Sequence, residues 1–109
     1  VGIKIPASYF LDLRSYHPAE VAAQLHVPIL VLQGGRDYQV TKDDYKLWRE
    51  ARGNDPRATW KFYPDLTHLF MNPQRPGPAS PADYSVAGHI APEIVSDIAQ
   101  WVNKNATGN

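Results

Sequence analysis

An acid and an imidazole are the two groups in this sequence best placed to do chemistry. Asp37 follows Gly34-Gly35-Arg36, and His68 closes Tyr63-Pro64-Asp65-Leu66-Thr67-His68, 31 positions later. A carboxylate beside a histidine holds the imidazole in one tautomer and steadies the imidazolium that forms when the ring takes a proton. A histidine held in this way can act as general base and then as general acid. Two plainer roles compete with this one: Asp37 capping its own turn, as Asp does near Gly, and His68 as a satisfied structural histidine. His17, His26 and His89 have no comparable setting and read as solvated or packing side chains. No two histidines have metal-ligand spacing, so no metal is expected. The chain has no cysteine, which excludes disulfides, a thiolate zinc centre and a cysteine nucleophile.

Positioning these two residues falls to a short alternation of helices and strands. Pro18 suits a first helical turn, and the good helix formers from Ala19 to Gln24 extend it. Ile29-Leu30-Val31-Leu32 is a continuous apolar, partly β-branched run, the pattern of a strand buried on both faces of a parallel sheet. It stops at Gly34-Gly35. Thr41 is a natural N-cap with Asp43 and Asp44 in the first turn behind it. Tyr45, Trp48 and Ala51, with Leu47 beside them, give that helix an apolar face. Gly53 can end it, and Asn54-Asp55-Pro56 reads as a turn. Ala58-Thr59-Trp60-Lys61-Phe62-Tyr63 is a second strand closed by Pro64. Four prolines and Gly77 make residues 72–87 a loop, with Tyr84 either packing or lining an entrance. Ala91-Pro92 opens a last helix with Ile94, Val95, Ile98, Trp101 and Val102 on one stripe, and Asn103 onward is expected to fray. Val1 to Tyr16 reads as an irregular lead-in or short helical turn.

The order helix, strand, helix, strand, helix predicts an α/β fold built on a parallel βαβ unit. Both Asp37 and His68 then lie just past the carboxyl end of a strand, where open parallel sheets form their sites. Trp48, Trp60 and Trp101 sit in amphipathic segments and are read as core. Gly34-Gly35 lacks the spacing of a phosphate-binding loop, so no nucleotide cofactor is expected.

Bulk properties narrow the field. A chain of 109 residues, 43% hydrophobic and 20% charged, has the size and composition of one globular domain. Eleven basic and eleven acidic residues cancel, and without a basic run there is no electrostatic case for nucleic acid or an anionic membrane. No apolar run approaches the roughly 18 residues needed to span a bilayer. Val1-Gly2-Ile3-Lys4 lacks both an initiator Met and the pattern of a signal peptide, as expected of a chain cut from something longer.

Val27-Pro28-Ile29-Leu30-Val31-Leu32-Gln33-Gly34-Gly35-Arg36-Asp37 resembles the strand and turn that carry the acid of α/β-hydrolases. With Tyr38-Gln39-Val40 behind it, it is similar to the esterase and peptidase-like branch near dienelactone hydrolases. Phe62-Tyr63-Pro64-Asp65-Leu66-Thr67-His68 resembles that family's histidine loop. The likeness runs from about Tyr9 to Trp101. It implies a single, partial α/β-hydrolase domain over residues 1–109, the C-terminal portion of the parallel sheet, with Asp37 and His68 as acid and base of a Ser-His-Asp triad acting on a small acyl substrate. The nucleophile of that fold sits in G-x-S-x-G ahead of the acid and the histidine, and this pattern does not occur here. Ser8 and Ser15 lack flanking glycines, whereas Ser80, Ser85 and Ser96 follow His68. The serine and the oxyanion hole are therefore expected outside these residues. A strand as apolar as Ile29 to Leu32 seeks a neighbour on its open edge, so the chain is expected to form a homo-oligomer or to pair with an N-terminal half. The alternative is a non-catalytic remnant that survives as an oligomeric or partner-binding module.

Overall fold

The computed structural model describes residue 4, residues 6–8 and residues 17–107; the lead-in expected over residues 1–16 lies mostly outside these. In chain order come helix α1 (Pro18–Ala23), strand β1 (Ile29–Gly34), helix α2 (Lys42–Arg52), strand β2 (Ala58–Tyr63), a 3₁₀ turn (Pro81–Ser85) and helix α3 (Pro92–Thr107). The two strands pair in parallel, from Ile29 opposite Ala58 to Gly34 opposite Tyr63. Parallel neighbours need a crossover, which α2 supplies.

Local chemistry accounts for each element. Pro18 occupies the first turn of α1, where its missing N–H leaves nothing unsatisfied. Thr41 and Asp44 form a reciprocal capping box at the start of α2, with the Thr41 N–H donating to Asp44 Oδ2 at 2.9 Å. Gly53 ends α2 at φ −61°, so the cap uses ordinary right-handed backbone rather than the left-handed geometry that favours glycine. The Asn103-onward segment is a correction: α3 continues through Thr107. Asn105 Nδ2 donates back to the Trp101 carbonyl at 2.9 Å, and Lys104 in the last turn faces the negative end of the helix dipole.

Alternation along β2 assigns its two faces. Trp60 and Phe62 meet α2, where Tyr45 lies edge-on to Trp60 with centroids 5.9 Å apart and tilted to Phe62 at 5.7 Å. Arg49 stacks over Trp60 and Lys42 over Phe62, at 5.1 and 5.7 Å. Tyr63 points to α3, its hydroxyl donating to Asp97 Oδ2 at 2.5 Å. The three tryptophans are half-buried rather than fully enclosed.

The core gathers beneath the ends of the strands. Leu66 (1% exposed), Ala91 and Ile94 form it, with Leu32, Tyr63 and Phe70 packed around them. The expected stripe on α3 is only partly used. Ile94 is buried, whereas Val95, Ile98 and Val102 are exposed, as is Leu47 on α2. At the opposite end, buried Arg52 donates to the Val27 carbonyl at 3.1 Å and to Asp55 Oδ2 at 2.7 Å. Arg57 grips the same carboxylate and the His26 carbonyl. These bonds hold the Asp55 carboxyl well below the usual carboxylate range, Arg57 first and Arg52 after it.

Candidate active site

The two turns that follow β1 and β2 are knitted together by backbone bonds that prolong the sheet. Gly35 N–H donates to the Tyr63 carbonyl at 2.7 Å, and Arg36 N–H to the Leu66 carbonyl at 2.9 Å. The approach is so close that side chains are excluded. A Cβ on Gly34 would lie 2.6 Å from the Leu66 oxygen, and one on Gly35 would lie 2.4 Å from the Pro64 oxygen. The glycine pair at the end of an apolar strand is thus the local reason that the acid turn can lie against the histidine turn.

Asp37 leaves this junction with both oxygens engaged. Oδ1 accepts from the N–H groups of Gln39 and Val40, each at 2.9 Å, the self-capping turn expected of an Asp near glycine. Oδ2 lies 2.8 Å from His68 Nδ1. The capping role and the pairing role, set against each other in the sequence, are filled by different oxygens of one carboxylate. Because a carboxylate only accepts, the shared proton sits on Nδ1, and in the neutral ring that tautomer leaves the lone pair on Nε2. The acid side chain is 8% exposed and the imidazole 37%, so the carboxylate is sheltered while the ring reaches solvent.

His68 is held by a tight turn. Phe70 N–H donates to the Thr67 carbonyl at 3.0 Å, and buried Thr67 N–H donates to the Met71 carbonyl at 2.9 Å. Phe70 takes φ 56°, left-handed backbone that costs a non-glycine residue about 1–2 kcal/mol. Its ring packs on the core, and its carbonyl accepts from Ala91 N–H at 2.8 Å. The start of α3 therefore anchors the histidine turn. Tyr38, Thr67, Leu69, Asp83 and Tyr84 line a small pocket against His68.

Several supporting residues carry little signal in the sequence. Gln33, buried at the end of β1, donates through Nε2 to the Val40 carbonyl at 2.6 Å and the Gly34 carbonyl at 2.9 Å. It closes the acid turn from inside. A lone amide ending an apolar run just before Gly-Gly is the one hint the sequence offers. Arg36 Nη2 donates to the Gly77 carbonyl at 2.7 Å, and Tyr84 donates to Gln39 Oε1 at 2.6 Å. Tyr84 also tilts against Tyr38 with centroids 6.1 Å apart. Partial desolvation, the Tyr38 phenol and the nearby Asp37 charge push its own phenol up to about 12.

His17, His26 and His89 are exposed and far from this arrangement in the chain. Ser8 is exposed and Ser15 lies outside the described residues. Ser80 binds the Arg75 guanidinium and accepts from Ala82 N–H at 3.2 Å, and Ser85 donates to the Ala82 carbonyl at 2.7 Å. Both hydroxyls are thus committed within their loop. Among the described residues, no group of three His, Asp or Glu side chains gathers as a metal-holding cluster, and no helix is long and apolar enough to cross a membrane.

Comparison with known proteins identifies the family of the chain. Residues 6–103 match the model of the dienelactone hydrolase family. The chain is 36% identical over 99 residues to Esterase EstD of Thermotoga maritima, covering 91% of this chain and 24% of that protein. It is 36% identical over 62 residues to a putative carboxymethylenebutenolidase of Salmonella typhimurium, and 35% over 60 residues to one of Escherichia coli. Those two alignments cover 56% and 54% of this chain, and 23% and 22% of the relatives. The chain thus spans about a quarter of the length of the curated relatives it matches. No solved structure matches it. With a family model matched from Pro6 to Asn103, the chain belongs to the dienelactone hydrolase family.

Proposed function

We propose that this chain supplies the acid and the base of a Ser-His-Asp triad that hydrolyses a carboxylic ester or related acyl bond of a small substrate. The observation that carries the reading is the 2.8 Å contact between sheltered Asp37 Oδ2 and His68 Nδ1, which leaves Nε2 free on an exposed ring. Nε2 takes the proton of the attacking hydroxyl and returns it to the leaving group, while Asp37 keeps the tautomer and steadies the imidazolium. The serine and the oxyanion donors lie outside these 109 residues, since no G-x-S-x-G occurs in them. A relative named an esterase supports the ester as substrate class. We place the chain as the C-terminal helix–strand–helix–strand–helix portion of the hydrolase sheet, because acid and histidine follow the nucleophile in that fold.

The half-buried apolar β1 and the exposed Val95, Ile98 and Val102 favour a second reading, in which these surfaces mate with further strands or another copy. One set of preparations addresses both readings. p-Nitrophenyl ester hydrolysis is measured for the full-length gene product, its H68A and D37N variants, and the 109-residue chain alone. Each variant is expected to lose about 10⁴-fold, and the chain alone to turn over no faster than its own H68A form. Undiminished hydrolysis in the full-length variants would remove Asp37 and His68 from the mechanism. Sedimentation of the 109-residue chain as a clean monomer at micromolar concentration would refute the mating surfaces.

A further inference from the structure

The loop of residues 72–87 leaves the histidine turn, arches over the acid turn and returns to α3. It is stiffened internally by the Arg75–Asp83 ion pair at 2.7 Å, by Arg75 Nη2 donating to the Pro78 carbonyl at 2.8 Å, and by the Ser80 and Asp83 capping box of the 3₁₀ turn. From this brace it grips the acid turn twice, at Arg36 through the Gly77 carbonyl and at Gln39 through the Tyr84 hydroxyl. The second grip falls one residue link from the acid, since the Gln39 N–H donates to Asp37 Oδ1.

We infer that Tyr84, acting through Gln39, is a positioning residue for Asp37. Its hydroxyl holds the Gln39 side chain, which holds the backbone N–H that pins Oδ1, and the pinned carboxylate then presents Oδ2 to His68. The chemistry of the link suits the task. Asp37 sits on a short turn that is half-exposed at Tyr38 and exposed from Gln39 to Val40, so its rotamer needs an outside support. A neutral phenol and a neutral amide give that support without adding a charge beside the carboxylate. With its phenol held up to about 12, Tyr84 stays a donor at every pH where a histidine base works. Contact between the Tyr84 and Tyr38 rings would survive loss of the hydroxyl, so Tyr84→Phe keeps that packing while removing the hydroxyl's bond to Gln39 and its interaction with the Tyr38 phenol; Q39L removes the Gln39 bond alone. The inference rests on the proposed acid–base role of Asp37 and His68 for its catalytic meaning, but not for its geometry.

The test uses the 109-residue chain, its Y84F and Q39L variants and the double variant. Amide solvent exchange at Gln39 and Val40 is read by NMR, together with the downfield Nδ1 proton of His68. Y84F is expected to speed exchange at both amides about fivefold, the worth of one net hydrogen bond, and to broaden the His68 proton. Amides of α3 should be unchanged, which shows that the fold is intact. Q39L should match Y84F, and the double variant should go no further than either, since both remove one link. Wild-type exchange in Y84F, or effects that add in the double variant, would overturn the inference. If the amides respond but wild type shows no His68 Nδ1 proton, the positioning stands and the acid–base reading fails.

Discussion

Replacing Gly34 with alanine would place one methyl group where the acid turn meets the histidine turn. The new Cβ would sit 2.6 Å from the Leu66 oxygen and 2.7 Å from the Thr67 oxygen, where ordinary contact begins near 3.4 Å. Both obstacles are backbone, and the turn that holds them is pinned by Thr67 to Met71 and by Phe70 to Ala91. Relief therefore requires the two turns to part by about 0.8 Å, the shortfall against that contact limit. If the shift falls along the line between the side chains, the His68–Asp37 contact opens from 2.8 Å to about 3.6 Å, too long for a hydrogen bond. Overpacking of this kind costs about 1–3 kcal/mol, and each kcal/mol lowers the thermal midpoint of a domain this size by about 4–8 °C. The assay pairs thermal unfolding by circular dichroism with the His68 Nδ1 proton in NMR spectra. A lowered midpoint with loss of that proton is expected. An unchanged midpoint and an intact proton signal would refute the claim that glycine is required for the approach.

Two further predictions concern charge. Burial and the Asp97 carboxylate raise the Tyr63 phenol above its ordinary value near 10. Its contribution is therefore full below about pH 10 and is lost as pH rises further; Tyr63→Phe should cost about 1–2 kcal/mol at neutral pH and flatten the alkaline fall in melting temperature, and an equally steep fall in the variant would refute the assignment. Asp55 is shifted the other way, chiefly by Arg57, so its contribution is present above its ordinary value near 4 and is lost as pH falls. Asp55→Asn should lower the melting temperature at neutral pH and make its acid limb shallower, and identical acid limbs would exclude this carboxylate as a source.

Much of this protein is legible in the sequence wherever neighbours along the chain decide the outcome. β1 announces itself as an unbroken apolar run, α2 by its Thr41 N-cap and first-turn carboxylates, and β2 by alternation closed with Pro64. The acid and the histidine could be named because each directly follows a strand. Misreadings arose where local polarity was a poor guide. Asn103 to Thr107 looks like a frayed end, yet the Asn105 side chain folds back onto the Trp101 carbonyl and the helix continues. The apolar stripe of α3 is real as a pattern, but burial divides it, with Ile94 inside and Val95 60% exposed.

The sequence by itself determined the family likeness, the candidate pair Asp37 and His68, and the order of the segments around them. Only the tertiary structure decided that Asp37 divides its two oxygens between its own turn and His68, because that depends on the parallel register and on the contact at Gly34. The same holds for the grips of Gly77 on Arg36 and Tyr84 on Gln39, which join residues 41 and 45 positions apart. Periodicity and capping act over a few residues and leave a trace in composition. A hydrogen bond across forty residues leaves none, since nothing in the local pattern of either partner records where the chain will bring the other.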